Sequence, residues 1–265
     1  MRLYSFFLFG LLVIFSFTAG SDANAQRSLA EGFTKFDLQS SRQKYAYSRA
    51  KFPDGRRAER FELRSGDCPR ATDDCNTDRE RVEFSEKKPG IRLGKEMWVA
   101  WSVYLPRDFP RVRAPNGWIA TMLGQFHQKG NSGPELMFHL TDSEYILHLA
   151  DPHHLTNDPM NPHKELAWKP IYRRSQMIGK WTRIMVNANW SRESDGFIRV
   201  WINGKQVFKY SGPTTNDGRN PIYFKYGLYR SFVSVYGNKT PPTLVAYYRD
   251  VVKGRTRDEV ENFRW

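Results

Sequence analysis

Tyr223-Phe224-Lys225-Tyr226-Gly227-Leu228-Tyr229-Arg230 reads as a β-strand, because aromatic side chains suit a pleated, half-buried surface. Strand alternation places Tyr223, Lys225, Gly227 and Tyr229 on one face. That face carries two phenols and an ammonium, with a glycine that leaves room for something to approach the backbone. A core face has no use for such groups. A surface that holds and reacts with an anionic polymer does.

The rest of the chain repeats the same rhythm. Short strand-like runs are separated by turn residues, as expected of an all-β sandwich or barrel of antiparallel strands. The runs cover 59–64, 80–85, 96–105, 118–128, 135–140, 145–150, 181–190, 197–203, 206–210, 222–230 and 244–249. Within 96–105, Val99, Trp101, Val103 and Leu105 form an apolar face suited to a core. Asn203-Gly204 between two runs predicts a hairpin, since a type I′ turn needs two residues tolerant of positive φ. Only residues 255–265 read as helical.

Residues 1–25 read as a signal peptide. Arg2 precedes an apolar run, Leu8 to Phe17, that is short for a bilayer span, and Ala23-Asn24-Ala25 fits a signal-peptidase site. Residues 26–265 are then expected to form a single exported domain, secreted or periplasmic, monomeric and without a membrane anchor. The net charge of +13 survives removal of the leader, which takes away one charge of each sign, Arg2 and Asp22. An exported protein this basic favours polyanions. Outside the cell an acidic polysaccharide is the expected partner, and nucleic acid is not. In an oxidising compartment Cys68 and Cys75 are expected to form a disulfide.

Three segments place polar groups on one face at period two. They are Arg60-Phe61-Glu62-Leu63-Arg64, Gln125-Phe126-His127 and the strand quoted at the outset. Converging on one sheet, they suit cleavage of a uronic-acid polymer by β-elimination. The proton at C5 of a uronate is a poor acid while the neighbouring carboxylate is charged. Arginine and amide donors must neutralise that carboxylate and stabilise the enolate-like intermediate. A base, His or phenolate, must take the proton, and an acid such as a tyrosine hydroxyl must protonate the O4 leaving group. The scheme requires no cofactor.

Arg-x-Glu-Leu-Arg, Gln-x-His and Tyr-Phe-Lys-x-Gly-x-Tyr, in that order, resemble the signature strands of jelly-roll polysaccharide lyases. These include the family 7 alginate lyases and the heparin lyase I and glucuronan lyase families. The stretch from Gly179-Lys180-Trp181-Thr182 to Trp201-Ile202-Asn203-Gly204-Lys205 is similar to concanavalin A-like sandwiches generally, so the resemblance spans about residues 59–250. It implies a β-jelly-roll of two antiparallel sheets with a concave substrate groove. Gln125 with Arg60 or Arg64 would neutralise the carboxylate, and His127 would be the base. Tyr229 would be the acid, or both acid and base in a syn elimination. Lys225 would support Tyr229, while Tyr223 and Arg230 would bind substrate. Tyr226 and Arg230 depart from the alginate lyase pattern and shift the expected substrate towards a glucuronate-rich polymer.

Other readings compete. Arg60, Glu62 and Arg64 also suit a plain charge ladder. A non-catalytic carbohydrate-binding protein would share the fold, whereas a glycoside hydrolase needs two carboxylates across the cleft, and no matching strand pattern is present. His148, Asp151, His153, His154, Asp158 and His163 lack regular metal-ligand spacing and read better as a loop at the groove edge. Asn216 and Asp217 could help hold a structural Ca²⁺, but their composition is equally that of an ordinary turn.

Overall fold

A computed structural model describes residues 27–87, 89–112, 121–129, 133–155 and 163–264, apart from the side chains of 153–155 and 163–165. The expected leader lies outside the described residues. The strands are numbered here in chain order. One seven-stranded sheet, the site sheet, runs β1 (Phe36–Gln39), β4 (Arg79–Glu86), β13 (Ile222–Ser231), β6 (Thr121–Gln128), β7 (Pro134–Leu140), β8 (Glu144–Leu155), β9 (His163–Arg173). The other, the back sheet, runs β12 (Lys205–Ser211), β11 (Phe197–Ile202), β10 (Trp181–Asn189), β5 (Glu96–Tyr104), β14 (Leu244–Gly254), β3 (Arg57–Leu63), β2 (Tyr47–Lys51). All named strand pairs are antiparallel. The fold is an all-β jelly-roll sandwich.

The core lies between the sheets, filled by alternate residues of both. Val99, Trp101, Val103 and Leu105 are buried as their spacing predicts. Trp101 meets Phe126, Phe138 and Phe224 of the site sheet at centroid distances of 6.4, 5.3 and 4.9 Å. Gly124 leaves the room for it, since a Cβ there would sit 3.2 Å from the indole. The β11–β12 hairpin turns on Asn203-Gly204 with φ of 50° and 81°, matching the expected type I′ turn. Near the C-terminus a short helix, α1 (Arg257–Glu261), lays Val260 on the outer face of the back sheet against Trp98 and Trp201.

The sequence reading missed strands β1, β2 and β9. In β9, Pro170 lacks the backbone donor of a central strand, and the strand sits at the sheet edge, where that lack is tolerated.

Two expectations about β13 are overturned. Tyr226 and Arg230 point away from the groove face, on the side that packs between the sheets. Tyr226 is fully buried and its hydroxyl donates to Glu59 Oε2 at 2.7 Å. Glu59 also accepts from Leu29 N and the Tyr47 hydroxyl, each at 2.9 Å, and burial pushes its carboxyl up to about 7. Arg230 is 0 % exposed. Its guanidinium holds Glu80 through Nε at 2.8 Å and donates to the Pro242 carbonyl at 2.6 Å. Both side chains are taken up by buried carboxylates instead of facing outward with Tyr229.

Candidate active site

The site is built on β4, β13 and β6, three adjacent strands. Their register sets Tyr223 opposite His127, Lys225 opposite Gln125 and Ser85, and Tyr229 opposite Arg81. These side chains share the outer face of the site sheet, because Phe224, Tyr226 and Leu228 take the core side.

At Gly227 the ladder to β6 breaks. Tyr226 pairs with Gly124 and Tyr229 with Met122, so two residues of β13 bulge opposite one. Gly227 has φ of 135°, and a Cβ there would lie 2.4 Å from the Val82 carbonyl oxygen. The space beside this glycine therefore belongs to the neighbouring strand rather than to an approaching ligand. Tyr248 of the back sheet pins the bulge from behind. Its hydroxyl shares one proton between the carbonyls of Gly227, at 2.7 Å, and Leu123, at 2.9 Å.

At the centre is Glu83, a residue the sequence reading did not single out. Its carboxylate accepts from Gln125 Nε2 at 2.7 Å and lies 2.7 Å from Lys225 Nζ. Arg81 stands 3.3 Å from the same carboxylate. Glu83 thus fixes the amide, the ammonium and the guanidinium together, each through a charge-assisted contact. Lys225 is only 3 % exposed. Burial pulls its ammonium down to about 8, against the opposing pull of Glu83.

Arg81 also binds Asp74 through Nε and a terminal nitrogen, a two-pronged contact. Its guanidinium lies over the Tyr229 ring, 4.4 Å from the centroid. Burial pushes the Tyr229 phenol up to about 12 although Arg81 draws it down. The phenol therefore keeps its proton near neutral pH. His127 is half-buried and stacks on Tyr223 at 5.5 Å with an interplanar angle of 16°.

Asp74 arrives on the expected disulfide loop. Cys68 and Cys75 are bonded, with Cα atoms 5.5 Å apart. Thr72 donates to Asp74 at 2.7 Å, and Gly66 N donates to Glu80, the partner of Arg230, at 2.6 Å. The staple holds a carboxylate against the guanidinium that covers Tyr229.

Gln125, His127, Tyr223, Lys225 and Tyr229 share one face of the site sheet, with Tyr223 beside His127, Lys225 opposite Gln125, and Tyr229 farther along β13 opposite Arg81 and Met122. Arg60 and Arg64 do not join them. Arg60 lies on β3 of the back sheet and Arg64 directly follows that strand, and β3 is paired with β14 and β2. Both arginines bind Glu62, and Arg64 covers the Tyr45 ring at 3.7 Å. They form the plain charge ladder. The guanidinium beside Tyr229 belongs instead to Arg81, within Arg79-Glu80-Arg81-Val82-Glu83. Charged residues at 79, 81 and 83 share one face of that run, a feature that could have flagged it.

Among the described residues no group of three or more His, Cys, Asp or Glu is placed to hold a metal. The side chains of His153, His154, Asp158 and His163 lie outside the described residues. The Asp217 carboxylate is engaged in its own turn, accepting from Arg219 N at 2.7 Å and Asn220 Nδ2 at 2.6 Å.

A family model described as polysaccharide lyase matches residues 25–252. The chain belongs to the polysaccharide lyase family. Among solved structures, the lyase overlays the endo-β-1,4-glucuronan lyase of the fungus Trichoderma reesei with TM-score 0.66 and 16% identity, covering 86% of this chain and 93% of that one. It overlays an alginate lyase from Chlorella virus with TM-score 0.54 and 14% identity, over 83% and 93% of the two chains. The family 7 alginate lyase of the marine Zobellia galactanivorans gives TM-score 0.52 and 15% identity, over 80% and 81%. At these identities the likeness is one of fold. A search of curated protein sequences gives no match.

Proposed function

We propose that this polysaccharide lyase cleaves a uronic-acid polymer by β-elimination on the outer face of β4, β13 and β6, leaving an unsaturated uronate end. The observation that carries the reading is the protonated Tyr229 phenol beneath the Arg81 guanidinium, on one face with His127, Gln125 and Lys225. Gln125 and Arg81 draw the substrate carboxylate in and offset the charge that builds on it. His127 takes the C5 proton. Tyr229, whose proton is retained at neutral pH, gives it to O4 as the C4–O4 bond breaks. Lys225, held by Glu83, adds a positive charge to the same face. A lectin needs neither the imidazole nor the buried phenol.

A glucuronate-rich glycan is the proposed substrate, favoured by the fuller overlay with the glucuronan lyase than with the alginate lyases. Export is proposed with it, on the leader-like residues 1–25 and on a disulfide that leaves no free cysteine among the described residues. N-terminal sequencing of the mature protein checks the cleavage site.

The protein is mixed separately with glucuronan, alginate and heparin while the ultraviolet absorbance of the new C4–C5 double bond is followed. Glucuronan is expected to give the fastest rise. A faster rise on alginate overturns the substrate, and no rise on any uronate polymer overturns the reaction.

A further inference from the structure

We propose that the site sheet carries a second sugar-binding position at its far edge, formed by Trp168 of β9 with His139 of β7 and His148 of β8, which seats a pyranose ring of the same polymer that is cut at Tyr229. The inference rests on the reading of this face as a polysaccharide-binding surface.

One rung of the sheet runs unbroken from the reaction centre to this edge. Lys225 is opposite Gln125, Gln125 opposite Met137, Met137 opposite His148, and His148 opposite Trp168. Four strand spacings separate β13 from β9, about 19 Å. A polymer lying across the strands along that rung meets Trp168 several sugars away from the bond being cleaved.

Trp168 is 39 % exposed, one of two large apolar side chains so exposed among the described residues. It stands on an edge strand, where an exposed indole invites unwanted association unless it has a use. The indole packs on two imidazoles, 5.2 Å from His139 and 5.3 Å from His148, and these stack on each other at 5.6 Å. That backing holds the ring in one orientation, so little side-chain freedom remains to be lost when a ligand arrives. His139 is buried, and both its ring nitrogens lack hydrogen-bond partners among the described residues. Burial, aided by His148, holds its imidazole down at about 3. A neutral imidazole carries no charge to be desolvated, so it serves as a flat backing for the indole.

The chemistry differs from that at β13. There the groups are charged and suited to a carboxylate. Here an indole, backed by two buried imidazoles, offers a flat apolar surface to the C–H face of a pyranose. The position grips the ring rather than the acid group, and so holds the chain while the reactive uronate is aligned elsewhere.

Trp168→Ala and Trp168→Phe are compared with the wild type on long polymer and on a trisaccharide too short to reach β9, with retention in a polymer-containing native gel as a readout independent of turnover. The expected result for Trp168→Ala is a rise of about tenfold in KM on the polymer, a much smaller change on the trisaccharide, and weaker retention. Trp168→Phe, which keeps an aromatic platform, should recover most of the affinity. Equal changes on long and short substrate, or retention unchanged in Trp168→Ala, overturn the proposal while the elimination reading stands. If no polymer yields an unsaturated product, it is the elimination reading that falls. Gel retention then still decides the edge position, unchanged or absent retention overturning it.

Discussion

Two strands of this lyase carry nearly the same pattern of charge and do different things with it. On β3 and just beyond it, Arg60, Glu62 and Arg64 alternate along the chain, and on β4, Arg79, Arg81 and Glu83 do the same. Between them on β3, Phe61 and Leu63 enter the core; on β4 Val82 does so, while Glu80 is buried against Arg230. The difference lies in the neighbours. Strand β3 lies between β14 and β2, and the Glu62 carboxylate is held by Arg60 and Arg64 from the same run. Strand β4 lies beside β13, so its carboxylate meets an ammonium and an amide, and its guanidinium covers a phenol. A local pattern of charge specifies a solvent-facing strand edge. It becomes a reaction site only when the sheet brings a complementary strand alongside.

Experiments that break this contrast rank by size. The largest effect is expected at Tyr229, which β4 covers and β3 does not approach. Tyr229→Phe should lower kcat by about 10²–10⁴-fold with the fold intact, the usual worth of a proton donor. His127→Ala should fall in the same range, both read from the double-bond absorbance.

Next come the two carboxylates. Glu83→Ala leaves Lys225 buried without its partner and should cost about 3–5 kcal/mol in urea unfolding. Glu62→Ala opens a pair whose arginines reach water and should cost about 1 kcal/mol or less. Equal losses would show that the two ladders are equivalent.

The arginines follow. Arg81→Ala should reduce kcat by about 10²-fold, as for loss of one donor to a developing oxyanion. Arg60→Ala and Arg64→Ala should leave kcat within about twofold, since a single exposed ion pair is worth so little. A large loss at Arg60 would return the carboxylate-binding role to β3.

The smallest effect is the dependence of stability on pH. Lys225 titrates at about 8 in the folded chain and near 10.5 when unfolded. Across that window the unfolded chain binds more protons, so this residue's contribution to stability rises with pH. Above about 10 the raised tyrosines, Tyr229 among them, oppose the trend, because folding keeps their phenols protonated. Denaturant midpoints between pH 8 and 9.5 should rise more steeply in the wild type than in Lys225→Met.

The same contrast explains what could be read from the chain before its structure. Strands such as 96–105 and 222–230 were legible because alternation is a property of neighbouring residues. So was the shared face of Gln125, His127, Lys225 and Tyr229, since each group sits on a strand whose parity is visible. Which sheet a strand joins depends on partners far away in the chain. Arg60 pairs across to Tyr247, and Arg81 across to Tyr229. Nothing within either run says so, and the arginines were therefore placed on the wrong strand. Tyr226 and Arg230 misled for a related reason. An odd residue on a site strand invites a functional reading, whereas here a phenol and a guanidinium are buried against Glu59 and Glu80. Asp74 was hidden inside a loop whose disulfide alone was legible.

The hydroxyl of Tyr248 gives the back sheet a stake in the chemistry. Adapting such a scaffold to a new sugar would start at its loops and treat the backbone beneath Tyr229 as fixed. Strand β14 holds it, from behind, through one proton shared by two carbonyls. An engineer who repacks the core for heat resistance and treats Tyr248 as an interchangeable aromatic would be altering the floor of the reaction site from the opposite side of the protein. In this lyase the line between core and catalyst runs through a single phenol.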